Sequence, residues 1–242
     1  MNKENYIWHT MQTAESLAEL LADDIVQQIN NSLAEKDVAV VALSGGSTPK
    51  SLFKALAKRE LDWSKVIVTL VDERWVDQSH ELSNEAFLKQ WFITPLSIKP
   101  KFVSLYQSAE LSEQTKAQVL ANYCAATNSS TSQPRAFDVV VLGMGGDGHT
   151  ASFFPDAPNI SELVDPNSPA FLLYCESAST QVPRITWSLP MLLSSSFLAL
   201  HFTGASKKDV FEQAQQIDSN TELPIRSAIF QNTTPLQVYY AD

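Results

Sequence analysis

Apolar side chains recur at helical spacing near the start of the chain. Leu17, Leu21 and Ile25 follow one another at intervals of four, with Leu20 and Ile29 beside them, while Glu15, Glu19 and Asp23 face away. This period predicts an amphipathic helix over 14–31. The pattern then changes to short unbroken apolar runs at 37–43, 65–71 and 137–142, with further strand candidates at 171–175, 197–202 and 236–240. Helices are expected at 49–58, with Pro49 in the first turn, at 83–92, with Ser83 as cap, and at 115–126 and 206–217. Strands that alternate with helices, and that are apolar on both faces, predict an α/β fold: a mostly parallel sheet with helices on both faces. Two polar, turn-rich stretches, 128–134 and 155–169, read as long loops within one domain spanning 1–242, because suggestive chemistry lies on both sides of them.

A parallel sheet covered on both faces binds ligands beyond the carboxyl ends of its strands, so the segments that follow the strands are where chemistry is sought. After 37–43 come Ser44, Gly45, Gly46, Ser47 and Thr48, leading into Pro49. Glycines admit close approach of backbone to a ligand, and hydroxyls and unpaired N–H groups at a helix start favour an anion. The alternative is a cap and tight turn that hold nothing. The G-x-x-x-x-G-K-[ST] phosphate loop is absent.

After 65–71 come Asp72, Glu73 and Arg74, then Trp75. Arg74 can grip a phosphate or carboxylate through its planar fork. The alternative is a surface ion-pair cluster. After 137–142 the chain reads Gly143-Met-Gly-Gly-Asp-Gly-His149, with Gly143, Gly145 and Gly148 in G-x-G-x-x-G spacing. A dinucleotide site is discounted, because Pro155 leaves no room for the crossover helix that such a site requires. Asp165, near the distance of a ribose-binding acid, sits in a Pro/Asn-rich loop. His149, on the glycine-rich turn at a strand's carboxyl end, is placed for acid–base work near neutral pH, although a lone histidine can also be structural.

Composition narrows the partners. The 242 residues carry 17 Lys and Arg against 27 Asp and Glu, a formal net charge of −10. That balance argues against nucleic-acid binding, which depends on Lys and Arg neutralising phosphates. No apolar run approaches a membrane span, no apolar leader follows Met1, and no targeting motif ends the chain, so a cytoplasmic protein without membrane contact is expected. Cys124 and Cys175 lack CxxC spacing and read as free thiols. The histidines at 9, 80, 149 and 201 are scattered, so no metal site is expected. No G-x-S-x-G elbow is present.

Taken together, Leu43–Pro49 (LSGGSTP), the Asp72-Glu-Arg-Trp-Val run followed by Ser83-Asn84, and the Gly143–Pro155 segment resemble, in order and spacing, the 6-phosphogluconolactonase family. Val182-Pro-Arg184-Ile-Thr-Trp-Ser-Leu-Pro190 resembles its P-x-R-[IV]-T-x-x-L-P stretch, and Gly204-Ala-Ser-Lys207 its G-x-x-K stretch. The resemblance runs from about residue 13 to the C-terminus. The first loop and the D-G-H turn also resemble glucosamine-6-phosphate deaminase/isomerases, which share the fold; Arg74, and Thr150-Ala-Ser152 after His149, resemble the lactonase version.

The resemblance implies a Rossmann-like, three-layer (NagB-like) architecture. It implies hydrolysis of 6-phospho-D-glucono-1,5-lactone to 6-phosphogluconate in the pentose phosphate pathway, without cofactor or metal. The partner is then a small sugar-phosphate lactone, and the protein a monomer or small homo-oligomer. His149 would serve as base and then acid. Asp147 would orient the imidazole or its water, or else stabilise the glycine turn. The loop of Ser44, Gly45, Gly46, Ser47 and Thr48, with Arg74, Arg184 and Lys207, would bind the phosphate or the oxyanion, Lys208 being the neighbouring alternative to Lys207. A deaminase/isomerase and a non-catalytic sugar-phosphate sensor are the competing readings.

Overall fold

The structure is a computed structural model, and it describes residues 5–46 and 48–242. Ser47 therefore lies outside the described residues. In chain order the elements are β1 (Tyr6–Met11), α1 (Ala14–Glu35), β2 (Ala39–Leu43), α2 (Lys50–Leu56), β3 (Val66–Leu70), β4 (Asp72–Arg74) and α3 (Asn84–Leu88). They continue with β5 (Lys101–Val103), α4 (Glu113–Thr127), β6 (Val139–Leu142), α5 (Ile160–Leu163), β7 (Leu172–Cys175) and β8 (Arg184–Trp187). The last are α6 (Leu189–Leu193), β9 (Phe197–Thr203), α7 (Ala205–Gln216), α8 (Arg226–Ile229) and β10 (Leu236–Ala241).

Thr13 starts α1 by accepting the Ser16 N–H, and the Ser16 hydroxyl reciprocates. Leu17, Leu21, Ile25 and Ile29 are buried on one face, as their spacing predicts. The helix runs four residues past the predicted end. Its last turn is anchored by Ser32 and Lys36, both of which bond the buried carboxylate of Asp138, more than 100 residues away. No local pattern could signal that contact. Pro49 sits one residue earlier than expected, at the cap of α2 rather than inside its first turn. The predicted helix at 83–92 is α3 followed by a π turn, Lys89–Ile93.

The main sheet has seven strands in the order β1-β10-β9-β6-β2-β3-β5. Every pairing in it is parallel. All residues of β2, β3 and β6 are buried, so helices and loops cover both faces, as the unbroken apolar runs require. From β2 the chain moves one way, to β3 and β5, and then returns to the other side of β2 with β6. The order thus reverses between β2 and β6. Two loops leave the sheet at that crevice, 44–48 and 143–149.

A second sheet was not anticipated. It is antiparallel, with the order β4-β8-β7. The chain leaves the main sheet at Val71, whose carbonyl accepts the Trp187 N–H, and runs on directly as β4. Trp187 is fully buried against Tyr123 and Phe137, and its Nε1–H donates to the Leu70 carbonyl at 3.0 Å. This indole fastens the small sheet to the large one. No helix among the described residues is long and apolar enough to cross a membrane.

Candidate active site

A cavity of about 200 Å³ opens at the crevice between β2 and β6. Ser44, Gly45, Gly46 and Thr48 line it from the first loop, His149 from the second, Arg74 and Arg184 from the small sheet, and Lys207 from the start of α7. Eight of the ten predicted site residues thus face one space. Asp147 reaches it through His149, and Ser47 is outside the described residues. Lys208 lies over the Tyr240 ring and 4.0 Å from Glu212, so it is Lys207 that faces the cavity.

The two loops are stitched together. The Ser44 N–H donates to the Val141 carbonyl at 3.0 Å, and the Ser44 hydroxyl accepts the Gly143 N–H at 3.2 Å. Pro49 supplies no side-chain cap to α2. This helix spans only seven residues, so its dipole is small, and the donors of this wall are loop amides and hydroxyls.

The second loop closes on itself. Gly145 N–H donates to the His149 carbonyl at 2.9 Å. The imidazole lies so close over Gly145 that a Cβ there would fall 2.2 Å from the ring. Phe154 flanks the same ring, with centroids 4.3 Å apart. His149 Nδ1 is 2.6 Å from Asp147 Oδ1, and the His149 N–H bonds the same oxygen at 3.2 Å. Partial burial pushes the Asp147 carboxyl up, but the hydrogen bond and charge of His149 outweigh this and leave it below its ordinary range. An ionised carboxylate only accepts, so Nδ1 carries a proton, and in the neutral form of the ring Nε2 is the nitrogen with the free lone pair. Beyond His149, Ala151 adopts φ 49°, a left-handed conformation that costs a non-glycine residue about 1–2 kcal/mol. The turn is held by Thr150, whose hydroxyl donates to the Gly143 carbonyl at 2.8 Å, and by Ser152, which donates to Asp72 at 2.6 Å.

The acidic run after β3 is buried, not a surface ion-pair cluster. Asp72 and Glu73 are 6% and 0% exposed. Alternation along β4 turns Asp72 and Arg74 to the cavity and Glu73 away from it. Glu73 accepts the N–H groups of Arg74, Asn84 and Glu85. Burial pushes its carboxyl up to about 7, against the pull of those N–H groups.

Arg74 Nη1 donates to the Leu82 carbonyl at 2.8 Å, whereas the Nε atoms of Arg74 and Arg184 are buried with no partner among the described residues. Among the described residues neither guanidinium has a carboxylate within 4.0 Å. Burial, and the nearby Arg74, pull Arg184 down, partly offset by Asp72. Burial also lowers Lys207, with Asp147 opposing. The site is cationic and underneutralised, which suits an anionic ligand.

Asp72, Asn84, Ala151 and His201 also line the cavity and were not predicted as site residues. Asp72 and Asn84 lie within the motifs that carried the resemblance. His201 gave no signal beyond being a histidine in a strand. It is 3% exposed, its Nε2 has no partner among the described residues, and burial, helped by Lys207, pushes it down to about 4.

The chain is similar to a group of proteins with consistent names. The family described as glucosamine-6-phosphate isomerases/6-phosphogluconolactonase matches residues 12–236. A 6-phosphogluconolactonase of Rhizobium meliloti (strain 1021) is 40% identical over 233 residues, covering 96% of this chain and 97% of that protein. The crystal structure of a 6-phosphogluconolactonase from Shewanella baltica OS155 superposes with a TM-score of 0.90 at 32% identity, covering all of both chains. A monomeric glucosamine-6-phosphate deaminase shares the fold, at 17% identity and a TM-score of 0.74 over 96% of each chain. The crevice, its paired loops and these likenesses lead to one conclusion: the chain belongs to the glucosamine-6-phosphate isomerase/6-phosphogluconolactonase family.

Proposed function

We propose that this protein hydrolyses 6-phospho-D-glucono-1,5-lactone to 6-phosphogluconate, and that both sheets work as one domain around a single cavity. The observation that carries this reading is the Asp147–His149 pair, joined at 2.6 Å, on the same cavity as the glycine loop and two arginines with no carboxylate partner among the described residues. The substrate has a phosphate at one end and an ester carbonyl at the other, and the cavity offers anion binders and a base in one space. His149 Nε2 takes a proton from water as the water oxygen bonds to the lactone carbon. The C–O bond to the ring oxygen then breaks, and Nε2 returns the proton to that oxygen. Asp147 fixes the tautomer and offsets the imidazolium charge between the two transfers. Glycine-loop donors with Arg74, Arg184 and Lys207 hold the phosphate and the charge that develops on the carbonyl oxygen.

Relatives named as lactonases at 31–40% identity, against 17% for the deaminase, favour this reading over amine or isomerase chemistry. The test is acid release from 6-phosphogluconolactone at low temperature and mildly acidic pH, where spontaneous opening is slow. Wild-type protein accelerates it and His149→Ala does not. Ammonia release from glucosamine 6-phosphate with no lactone hydrolysis would favour the deaminase reading instead. Binding of 6-phosphogluconate without any turnover would make the protein a sensor.

A further inference from the structure

Glu73 touches no part of the cavity, yet its one carboxylate reaches both walls of it. Oε1 accepts the Arg74 N–H at 2.7 Å and the Asn84 N–H at 2.8 Å, so a single oxygen sets the separation of those two backbones. Oε2 accepts the Glu85 N–H at 2.7 Å and the Ser83 hydroxyl at 3.2 Å, which fixes the direction of the carboxylate. From Arg74 the connection runs to the guanidinium, steadied by the Leu82 carbonyl in the same loop.

From Asn84 the connection runs to the glycine loop. The Asn84 amide is 2% exposed and is held by donating from Nδ2 to the Asp72 carbonyl at 3.1 Å. Its Oδ1 occupies the place a side chain on Gly45 would fill, since a Cβ there would lie 2.0 Å from it. Among the described residues that Oδ1 is buried without a partner. A buried unpaired amide oxygen is costly, and here it buys close contact with the loop.

We propose that Glu73 is a positioning residue, whose carboxylate sets the spacing between Arg74 and the Asn84-supported glycine loop and thereby sets affinity for the substrate. The inference rests on the reading above, in which Arg74 and that loop hold the anionic substrate. Carboxylate geometry is required because both oxygens accept, two N–H groups on one and an N–H and a hydroxyl on the other. A glutamine of the same size turns one of those oxygens into a donor facing donors. An aspartate keeps the charge but is one methylene short of spanning both backbones.

The test uses the full chain at pH 7.5 and compares wild type, Glu73→Gln and Glu73→Asp. Turnover of 6-phosphogluconolactone and calorimetric binding of 6-phosphogluconate are both measured, with thermal unfolding as a check. The expected result is a KM and a product Kd raised at least tenfold in Glu73→Gln, kcat within threefold of wild type, and Glu73→Asp in between. Wild-type KM and Kd in both variants would overturn the inference, as would a fall in kcat alone. Failure of both variants to fold would also overturn it, because Glu73 would then be a structural cap. A wild type that binds product without turning over lactone would defeat the lactonase reading while leaving the Kd comparison to decide the role of Glu73. A wild type that does neither overturns both.

Discussion

Arg74 and Arg184 are register partners, directly opposite one another on the antiparallel strands β4 and β8. Like charges so placed repel, and each also buries an Nε with no hydrogen bond among the described residues. An anion placed between the two guanidiniums would offset that repulsion.

The first prediction follows from that pair. Arg184→Met removes charge-assisted hydrogen bonds worth about 1.5–3 kcal/mol, so KM for the lactone rises about 10- to 100-fold. The same change relieves repulsion, so the thermal midpoint stays level or rises. Steady-state kinetics and a melting curve on one preparation check both halves. A lower midpoint with unchanged KM would contradict the assignment.

His149→Ala should lower kcat by about 10²–10⁴-fold, the span of general acid–base catalysis, with KM close to wild type. Asp147→Asn keeps an acceptor for Nδ1–H but loses the negative charge, and should cost on the order of tenfold in kcat. Equal losses in the two variants would point to Asp147 doing more than orienting the ring.

Gly145→Ala places a methyl 2.2 Å from imidazole atoms, while the neighbouring Gly146 has open space around its Cα. Displacing the ring by even about 1 Å costs on the order of 10²-fold. Gly145→Ala should therefore approach the His149→Ala rate, and Gly146→Ala should stay near wild type. Equal kcat values for the two alanine variants would mean that the ring does not depend on that contact.

The buried His201 gives a pH dependence of stability. Its folded value of about 4 lies below its unfolded value of 6.5, so the unfolded chain binds the extra proton between those limits. Stability is full above pH 6.5 and is lost as pH falls towards 4, by up to about 3 kcal/mol. Urea unfolding at pH 7.5 and pH 5 should show that loss in wild type and a smaller one in His201→Leu. Identical pH slopes would show that His201 is not the group responsible.

Much of the fold, and the segments that line the candidate site, were legible in the sequence. The periodicity of Leu17, Leu21 and Ile25 set α1, and the unbroken runs set β2, β3 and β6, because burial on both faces leaves no room for polar alternation. Strand-end chemistry then marked loop 44–48, Arg74 and His149, since close backbone approach and acid–base work need those residue types there. Other features were decided only in three dimensions. β4 spans three residues, and its partner lies about 110 positions further along, so no local pattern could separate a buried strand from a charged turn. β1 is an edge strand with a mixed burial pattern, and it is defined by its pairing with β10 at the far end of the chain. His201 reaches the cavity only because β9 lies beside β6. Sequence fixes which faces must be buried and which groups can react; the tertiary structure decides which of those groups meet, because their pairing is set by distant strands and not by neighbours in the chain.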